Sequence, residues 1–176
     1  IPSKGRTALT DAAAGVGAGT RQLKVQWSEM PQPVEIRLSM LRAAKNKLPA
    51  GAYVVLATLY DRLGGAPLRW GRLGLSAGLG SAGYQGASRP VRHRGRFYDT
   101  ELSFDGQSVF MLLPYASALR PSYSIVIELF LLGGKRNPVD RVVGWSALPA
   151  ANADFRVSSG RFKLPLMRGE VDRTVD

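Results

Sequence analysis

The sequence predicts an all-β fold, an antiparallel β-sandwich of seven or eight strands. Two patterns support this prediction. Apolar and polar residues alternate along several segments with the period of two that half-buried strands show, and Gly, Pro, Asn and Asp separate these segments. No segment has the period of an amphipathic helix, so strands do not alternate with helices. Strands joined by turns, with no helices between them, favour an antiparallel sandwich.

The first part of the chain contains four predicted strands. In RQLKVQWS (residues 21–28) and VEIRLSMLRA (34–43), apolar and polar residues alternate, which predicts one buried face. The segment AYVVLATLY (52–60) is apolar on both faces, as expected for a central strand, and its β-branched and Tyr residues disfavour a helix. PLRWGRL (67–73) is a short fourth candidate.

The second part of the chain continues the pattern. Residues 96–114 read as two strands, RFYDTELSF and SVFMLLP, joined by a turn at Asp105-Gly106. Residues 123–148 read as a strand, YSIVIELFLL, a loop, GGKRNPVDR, and a second strand, VVGWSAL. GRFKLPL (160–166) is a last edge strand, because its proline suits an edge better than a centre.

We expect a single folded domain with two flexible ends. Residues 1–20 are rich in Ala and Gly with few large apolar side chains, which predicts a flexible arm. Residues 21–167 form the predicted sandwich, interrupted by a glycine-rich loop at 71–88, and residues 168–176 form a charged tail. Because the first residue is Ile rather than Met, the sequence is compatible with a piece of a longer chain.

The chain is strongly basic, with 24 Lys and Arg against 13 Asp and Glu and a formal net charge of +11. This excess favours anionic partners: phosphate backbones, acidic lipid headgroups, or acidic protein surfaces such as microtubules. The absence of Cys excludes disulfides and thiolate chemistry and favours a cytoplasmic location. No apolar run reaches the roughly 18 residues of a membrane-spanning helix, so no transmembrane segment is predicted.

No catalytic, cofactor or metal site is predicted, and we do not expect an enzyme. Residues 78–83 match G-x-G-x-x-G, but no helix follows that could face a pyrophosphate, so a low-complexity loop is the better interpretation. The only His, His93, lies among arginines with Asp99 as the nearby carboxylate, and we interpret it as a solvated surface residue. The carboxylates do not cluster as an oxygen-rich cation site requires.

Two basic segments are the candidate contact sites for an anionic surface or a protein partner. The first has four arginines in eight residues and is followed by Phe97 and Tyr98, which are suited to stacking on bases. The second is the turn GGKRN. A solvated basic loop explains the first segment equally well, and the sequence leaves open whether the two segments meet. The candidate residues are Arg89, Arg92, Arg94, Arg96, Lys135 and Arg136.

Residues 34–167 resemble a C2 domain in the order of their motifs. VEIRLSMLRAAKNKLPAGAYVVLATLYD is similar to that family's strand, its loop rich in "A-x-N-L", and its next strand beginning with an aromatic. RFYDTELSF is similar to the family's aromatic-acidic strand, departing from it at Leu102 and Phe104. IVIELFLL with DRVVGWSALP is similar to the pair "L-x-I-x-V…D-x-x-I-G-x-x-x-I-P-L". The resemblance implies an eight-stranded antiparallel β-sandwich.

The resemblance also bears on calcium. Calcium-binding members of that family carry aspartates at places that correspond here to Gly51 and Ala52 and to residues 129–132. These positions hold no carboxylate in this chain, and a divalent cation needs several. The resemblance therefore implies a C2-like domain that does not depend on calcium.

The closing phrase VVGWSALPAANADFRVSSGRFKLPLMRGEVD resembles C2-type domains of large scaffold proteins in cilia and flagella. This implies a non-catalytic interaction module that docks on protein partners, microtubule-associated ones included, in an axoneme or basal body. The alternative is calcium-independent binding to anionic membrane lipids. A further alternative is a nucleic-acid or ribonucleoprotein component, which the absence of a recognised RNA motif disfavours.

Overall fold

The computed structural model describes residues 7–8, 22–23, 30–42, 48–69, 84–96, 98–135 and 138–171 of the 176-residue chain. These residues form an all-β structure with antiparallel sheets, and no α-helix occurs among them, so the predicted all-β, antiparallel class is confirmed. The strands are β1 (Thr7–Ala8), β2 (Gln22–Leu23), β3 (Gln32–Leu41), β4 (Gly51–Tyr60), β5 (Gln85–Ala87), β6 (Val91–His93), β7 (Leu102–Leu113), β8 (Ser124–Leu131), β9 (Arg141–Pro149) and β10 (Met167–Arg168). A single 3₁₀ turn, Ala116–Ala118, follows β7.

The strand β4 lies at the centre of the larger, six-stranded sheet. The strand order is β10-β9-β8-β4-β5, and β6 pairs with the first residues of β4. The strands β3 and β7 form a second sheet, and β1 pairs with β2. Every pair is antiparallel. The central position predicted for residues 52–60 is therefore confirmed.

The core lies between the six-stranded sheet and the sheet formed by β3 and β7. Leu59 of β4 and Val109 of β7 belong to one cluster of buried side chains, and Val34, Ile36 and Leu38 of β3 pack against it. A second cluster joins the other halves of the same strands through Tyr53, Val55, Leu102, Phe104 and Leu129. Two sheets that bury their facing sides in this way are consistent with the predicted sandwich.

The outer face of the six-stranded sheet is also apolar. Successive side chains of a strand point to opposite faces, so Tyr60 lies on the face opposite to Leu59. Tyr60 forms a third buried cluster with Val126 and Trp145, and Val171 packs against this cluster. Both faces of β4 are covered, which explains why its sequence is apolar at nearly every position.

Residues 96–114 contain one long strand where the sequence predicts two. The strand β7 continues through Asp105 and Gly106, which both have positive φ, 51° and 71°. The pairing of β3 with β7 shifts its register between Leu38 and Met40, opposite this point. Asp-Gly therefore forms a β-bulge inside a strand, not a hairpin turn. Both structures need positive φ, so the local sequence signal is the same.

The short edge strands also differ from the prediction. The last strand, β10, is Met167–Arg168, whereas residues 161–166 form no strand. The strand β5 lies inside the segment 71–88 that predicts a loop, and β6 lies inside the first basic segment. Strands of two or three residues depend on the partner strand that they meet, so local pattern does not find them.

Some predictions fall outside the described residues. Of the predicted strand 67–73, the described part makes a bridge between Tyr60 and Pro67. Of the first predicted strand, Gln22–Leu23 is described. The G-x-G-x-x-G segment at 78–83 and Arg136 lie outside the described ranges.

One glycine allows the two sheets to approach each other at their side. A Cβ on Gly86 of β5 would overlap the carbonyl oxygen of Phe110 in β7 and would lie 2.9 Å from Cγ1 of Val109. Backbone atoms cannot move away as the end of a flexible side chain can. The close approach of β5 to β7 therefore requires glycine at this position.

We expect Gly86→Ala to lower the free energy of unfolding by about 1–3 kcal/mol, the usual cost of overpacking. Gly134→Ala is the matched control, because a Cβ there would meet nothing within 4 Å. Urea unfolding of both variants measures the difference. Equal stability of the two variants would contradict the close approach of β5 to β7.

Candidate functional site

Three strands bring their ends together at one end of the six-stranded sheet. The last residue of β6, His93, pairs with Gly51, the first residue of β4. The last residue of β8, Leu131, pairs with Arg141, the first residue of β9. Because β4 and β8 are neighbours, the loop after β6 and the loop after β8 lie side by side although they are far apart in the sequence.

These two loops enclose an open depression of about 1180 Å³ with a basic rim, which we call the basic depression. The side chains of Arg92, Arg94, Arg96, Lys135 and Arg141 line it, and all five residues are exposed. Small and apolar residues at the ends of β4 and β8 complete the lining: Gly51, Ala52, Leu131 and Leu132. No carboxylate occurs among the described residues that line the depression.

In the described ranges, no ion pair joins a cation of the basic depression to an acidic side chain. The ion pairs found there are Arg37 with Glu35 and Arg42 with Glu101, and neither includes a cation of the depression. Asp99, Glu101 and Asp105 line an adjoining depression together with Arg92, Arg94 and Arg96. The Arg96 guanidinium donates a hydrogen bond to the Tyr98 hydroxyl at 3.2 Å, which leaves its charge intact. Cations grouped without ion-pair partners create a positive potential that attracts anions.

Four of the six predicted contact residues meet in the basic depression: Arg92, Arg94, Arg96 and Lys135. Arg89 does not belong to it, because its backbone N–H donates to Oε1 of Gln107 beside the middle of the sandwich. Arg141 is a member that sequence reasoning missed. Arg141 could have been recognised as the basic residue that begins the strand after the GGKRN turn.

His93 is buried, with 6% of its surface exposed, so the prediction of a solvated surface residue is wrong. The N–H of Gly95 donates to its Nδ1 at 3.1 Å. The other ring nitrogen, Nε2, lies 3.1 Å from the carbonyl oxygen of Asp99, which can only accept. The ring is therefore the neutral Nε2–H tautomer, and both nitrogens serve to hold the basic loop in place.

Backbone contacts fix the two loops of the depression. Gly95 has a φ of 69°, and a Cβ there would come within 2.7 Å of the backbone N of Ala50, so only glycine lets the loop lie against β4. On the other side, the N–H of Gly133 donates to Oδ1 of Asp140 at 2.6 Å. These contacts hold the backbone of each loop in place where the loop leaves the sheet.

Tyr53 connects the depression to the core. Its side chain is fully buried, and its ring stands edge-on to His93, with centroids 6.2 Å apart. Its hydroxyl donates to the carbonyl oxygen of Pro49 at 2.7 Å. Burial raises the pKa of Tyr53, and the nearby charge of Arg141 partly opposes this effect.

The described residues contain no group of three or more His, Cys, Asp or Glu side chains placed to hold a metal ion. In the same part of the chain, no helix has the length and apolar composition that crossing a membrane requires. No protein-family model matches the chain, and no curated protein is detectably similar to it in sequence.

We expect the free energy of unfolding to fall as pH rises above about 10. Because the pKa of Tyr53 is raised in the folded state, the unfolded state loses the Tyr53 proton at a lower pH than the folded state does, and this difference favours unfolding at alkaline pH. Tyr84 contributes in the same direction, because burial also raises its pKa. Tyr53→Phe should show a weaker alkaline loss in urea unfolding between about pH 8 and 11. An unchanged pH dependence would contradict this role of Tyr53.

Proposed function

We propose that this protein is a non-catalytic interaction module that docks on an anionic surface of a larger assembly through the basic depression. The observation that carries the proposal is the meeting of two basic segments, distant in sequence, at one end of the sheet. Five exposed cations in one concave surface can contact several anionic groups of an extended partner at once.

We propose binding, not catalysis, as the role of this end of the molecule. His93 uses both ring nitrogens in hydrogen bonds that shape the loop, so it is not poised to accept a proton from a substrate. The remaining polar groups of the rim are guanidinium and ammonium groups, which bind anions but do not act as bases at neutral pH.

We propose further that the sandwich is C2-like, with eight strands forming its core, and independent of calcium. Support comes from the antiparallel pairing of β8 with β9, which the motif resemblance requires. The resemblance places calcium-binding carboxylates at Gly51, Ala52 and residues 129–132, and of these Gly51, Ala52, Leu131 and Leu132 line the basic depression. A surface that would hold a cation in a calcium-binding relative is suited here to an anion.

The anionic partner that we favour is an acidic protein surface within a cytoplasmic assembly, the axoneme or basal body of a cilium or flagellum. Placement in that assembly rests on the resemblance of residues 142–172 alone. The alternative, an anionic membrane surface, is favoured by exposed Val139 beside Lys135, since apolar and basic residues together suit a lipid interface. Nucleic acid is the third candidate, because phosphate contacts need only charge and reach.

Reversal of three charges tests the site. We expect the triple variant Arg92→Glu, Arg94→Glu and Lys135→Glu to lose binding about a hundredfold, since each basic residue contributes roughly 1 kcal/mol near an anionic surface. Its matched control reverses Arg89, Arg156 and Lys163, which changes the net charge equally but lies outside the depression. Co-sedimentation with microtubules, flotation with phosphatidylserine vesicles and titration of a long RNA compare the partner classes.

The three measurements assign the outcome. If the depression variant loses binding to microtubules more than the control variant does, the acidic protein partner is supported. The same selective loss of binding to vesicles supports the lipid alternative. Selective loss on RNA with a steep salt dependence supports the third candidate. Equal effects of the two triple variants on every partner would show that net charge, not the basic depression, determines binding.

Calcium titration checks the absence of a metal requirement. Because Gly51, Ala52 and Leu131 offer no carboxylate, we expect no binding heat at micromolar calcium and no change in thermal unfolding temperature at about 1 mM. Micromolar binding heat in isothermal titration calorimetry would contradict calcium independence.

A further inference from the structure

The arginines of the basic depression form a border between two surfaces of opposite charge. On one side, Arg92, Arg94 and Arg96 line the basic depression, and on the other they line a smaller depression of about 350 Å³. Three carboxylates also line this smaller depression, and we call them the acidic strip: Asp99, Glu101 and Asp105. Groups of both signs are therefore accessible side by side at this end of the molecule.

One tight turn separates the two signs. The backbone N–H of Asp99 donates to the carbonyl oxygen of Arg96 at 3.1 Å, so these residues stand at the two ends of a hydrogen-bonded turn. Tyr98 lies within the turn with 71% of its surface exposed, and its hydroxyl accepts from the Arg96 guanidinium. Tyr and Arg are among the residue types that contribute most to binding between proteins. The turn thus presents a cation, an aromatic ring and a carboxylate within four residues.

The buried ring of His93 fixes the two sets of charges relative to each other. Its Nδ1 accepts from the N–H of Gly95, which lies between Arg94 and Arg96. Its Nε2 donates to the carbonyl oxygen of Asp99. One imidazole therefore holds both the basic loop and the first residue of the acidic strip. A charge pattern that is in place before binding needs little ordering when a partner arrives, which favours specific recognition.

The β-bulge of β7 adds the last carboxylate of the acidic strip. Asp105 has a φ of 51°, and a bulge changes the direction in which a side chain points. The Ser103 hydroxyl donates to Oδ1 of Asp105 at 2.6 Å, which holds the carboxylate. Glu101 lies 3.7 Å from Arg42 and is 59% exposed. The strip is thus positioned by its own contacts, and among the described residues none of them is an ion pair with the arginine border.

We propose that the partner of the basic depression is a folded protein surface on which an acidic patch adjoins a basic patch. The acidic patch of the partner faces the basic depression, and its basic patch faces the acidic strip. Attraction on both sides of the arginine border fixes the orientation of the partner, because reversed docking brings like charges together. This inference rests on the proposed function and specifies the partner class that it requires.

The acidic strip disfavours the two other partner classes. A phosphatidylserine membrane and an RNA backbone carry negative charge along their whole extent. A contact that extends past the arginine border therefore meets Asp99, Glu101 and Asp105, and like charges across an interface lower the affinity. A protein surface can change sign over the distance between the two depressions, because its side chains carry both signs. Charge complementarity over the whole end of the molecule thus selects a protein.

Neutralisation of the acidic strip tests this discrimination. We expect the triple variant Asp99→Asn, Glu101→Gln and Asp105→Asn to bind phosphatidylserine vesicles and a long RNA about tenfold more tightly, because three repelled charges are removed. Asn tolerates the positive φ at position 105 and keeps an oxygen for the Ser103 hydroxyl. The matched control neutralises three acids that lie outside both depressions: Glu35→Gln, Asp61→Asn and Asp154→Asn. An unchanged affinity of the strip variant, or an equal gain by the control, would overturn the proposal.

Zero-length cross-linking tests the partner class. A carbodiimide joins a carboxylate to a lysine that contacts it, so treatment of the complex with microtubules should give two kinds of product. Lys135 should be joined to microtubule carboxylates, and residues of the acidic strip should be joined to microtubule lysines. Mass spectrometry of the digested complex identifies both. Products from Lys135 alone would overturn the two-signed partner and leave the proposed function intact. The absence of both kinds would contradict the proposed function as well.

Discussion

The pairing of β4 with β8 is the contact on which the rest of the molecule depends. These two strands form the middle of the larger sheet, with eight consecutive residue pairs from Tyr53 opposite Leu131 to Tyr60 opposite Ser124. The strand β9 adds to the far side of β8, and β5 and β6 add to the far side of β4. Because successive side chains of a strand point to opposite faces, a register slip of one residue would turn the core-facing side chains of the slipped strand to the outer face.

The strands with strong alternation were predictable because burial of one face imposes a period of two on the sequence. β3 follows from this rule, whereas β4, β8 and β9 follow from short apolar runs bounded by turn residues. The bulge at Asp105-Gly106 was not predictable, because residues with positive φ occur both in hairpin turns and in bulges of this kind. The last strand, β10, was misplaced because two residues pair with Gly144 and Trp145 of β9, and such pairing is a property of the partner strand, not of local composition.

Most cations of the basic depression were predictable from the sequence, but their meeting in space was not, because it depends on strand pairing. Charge identified Arg92, Arg94 and Lys135 as candidates. The antiparallel register of β6, β4 and β8 is what brings Arg92 and Arg94 beside Lys135. Register is a long-range property, since a shift along β4 would separate the loops. Arg89 shows the converse: it belongs to the cluster in sequence, but it precedes β6 and its backbone N–H donates to Gln107 in the middle of β7, away from the depression.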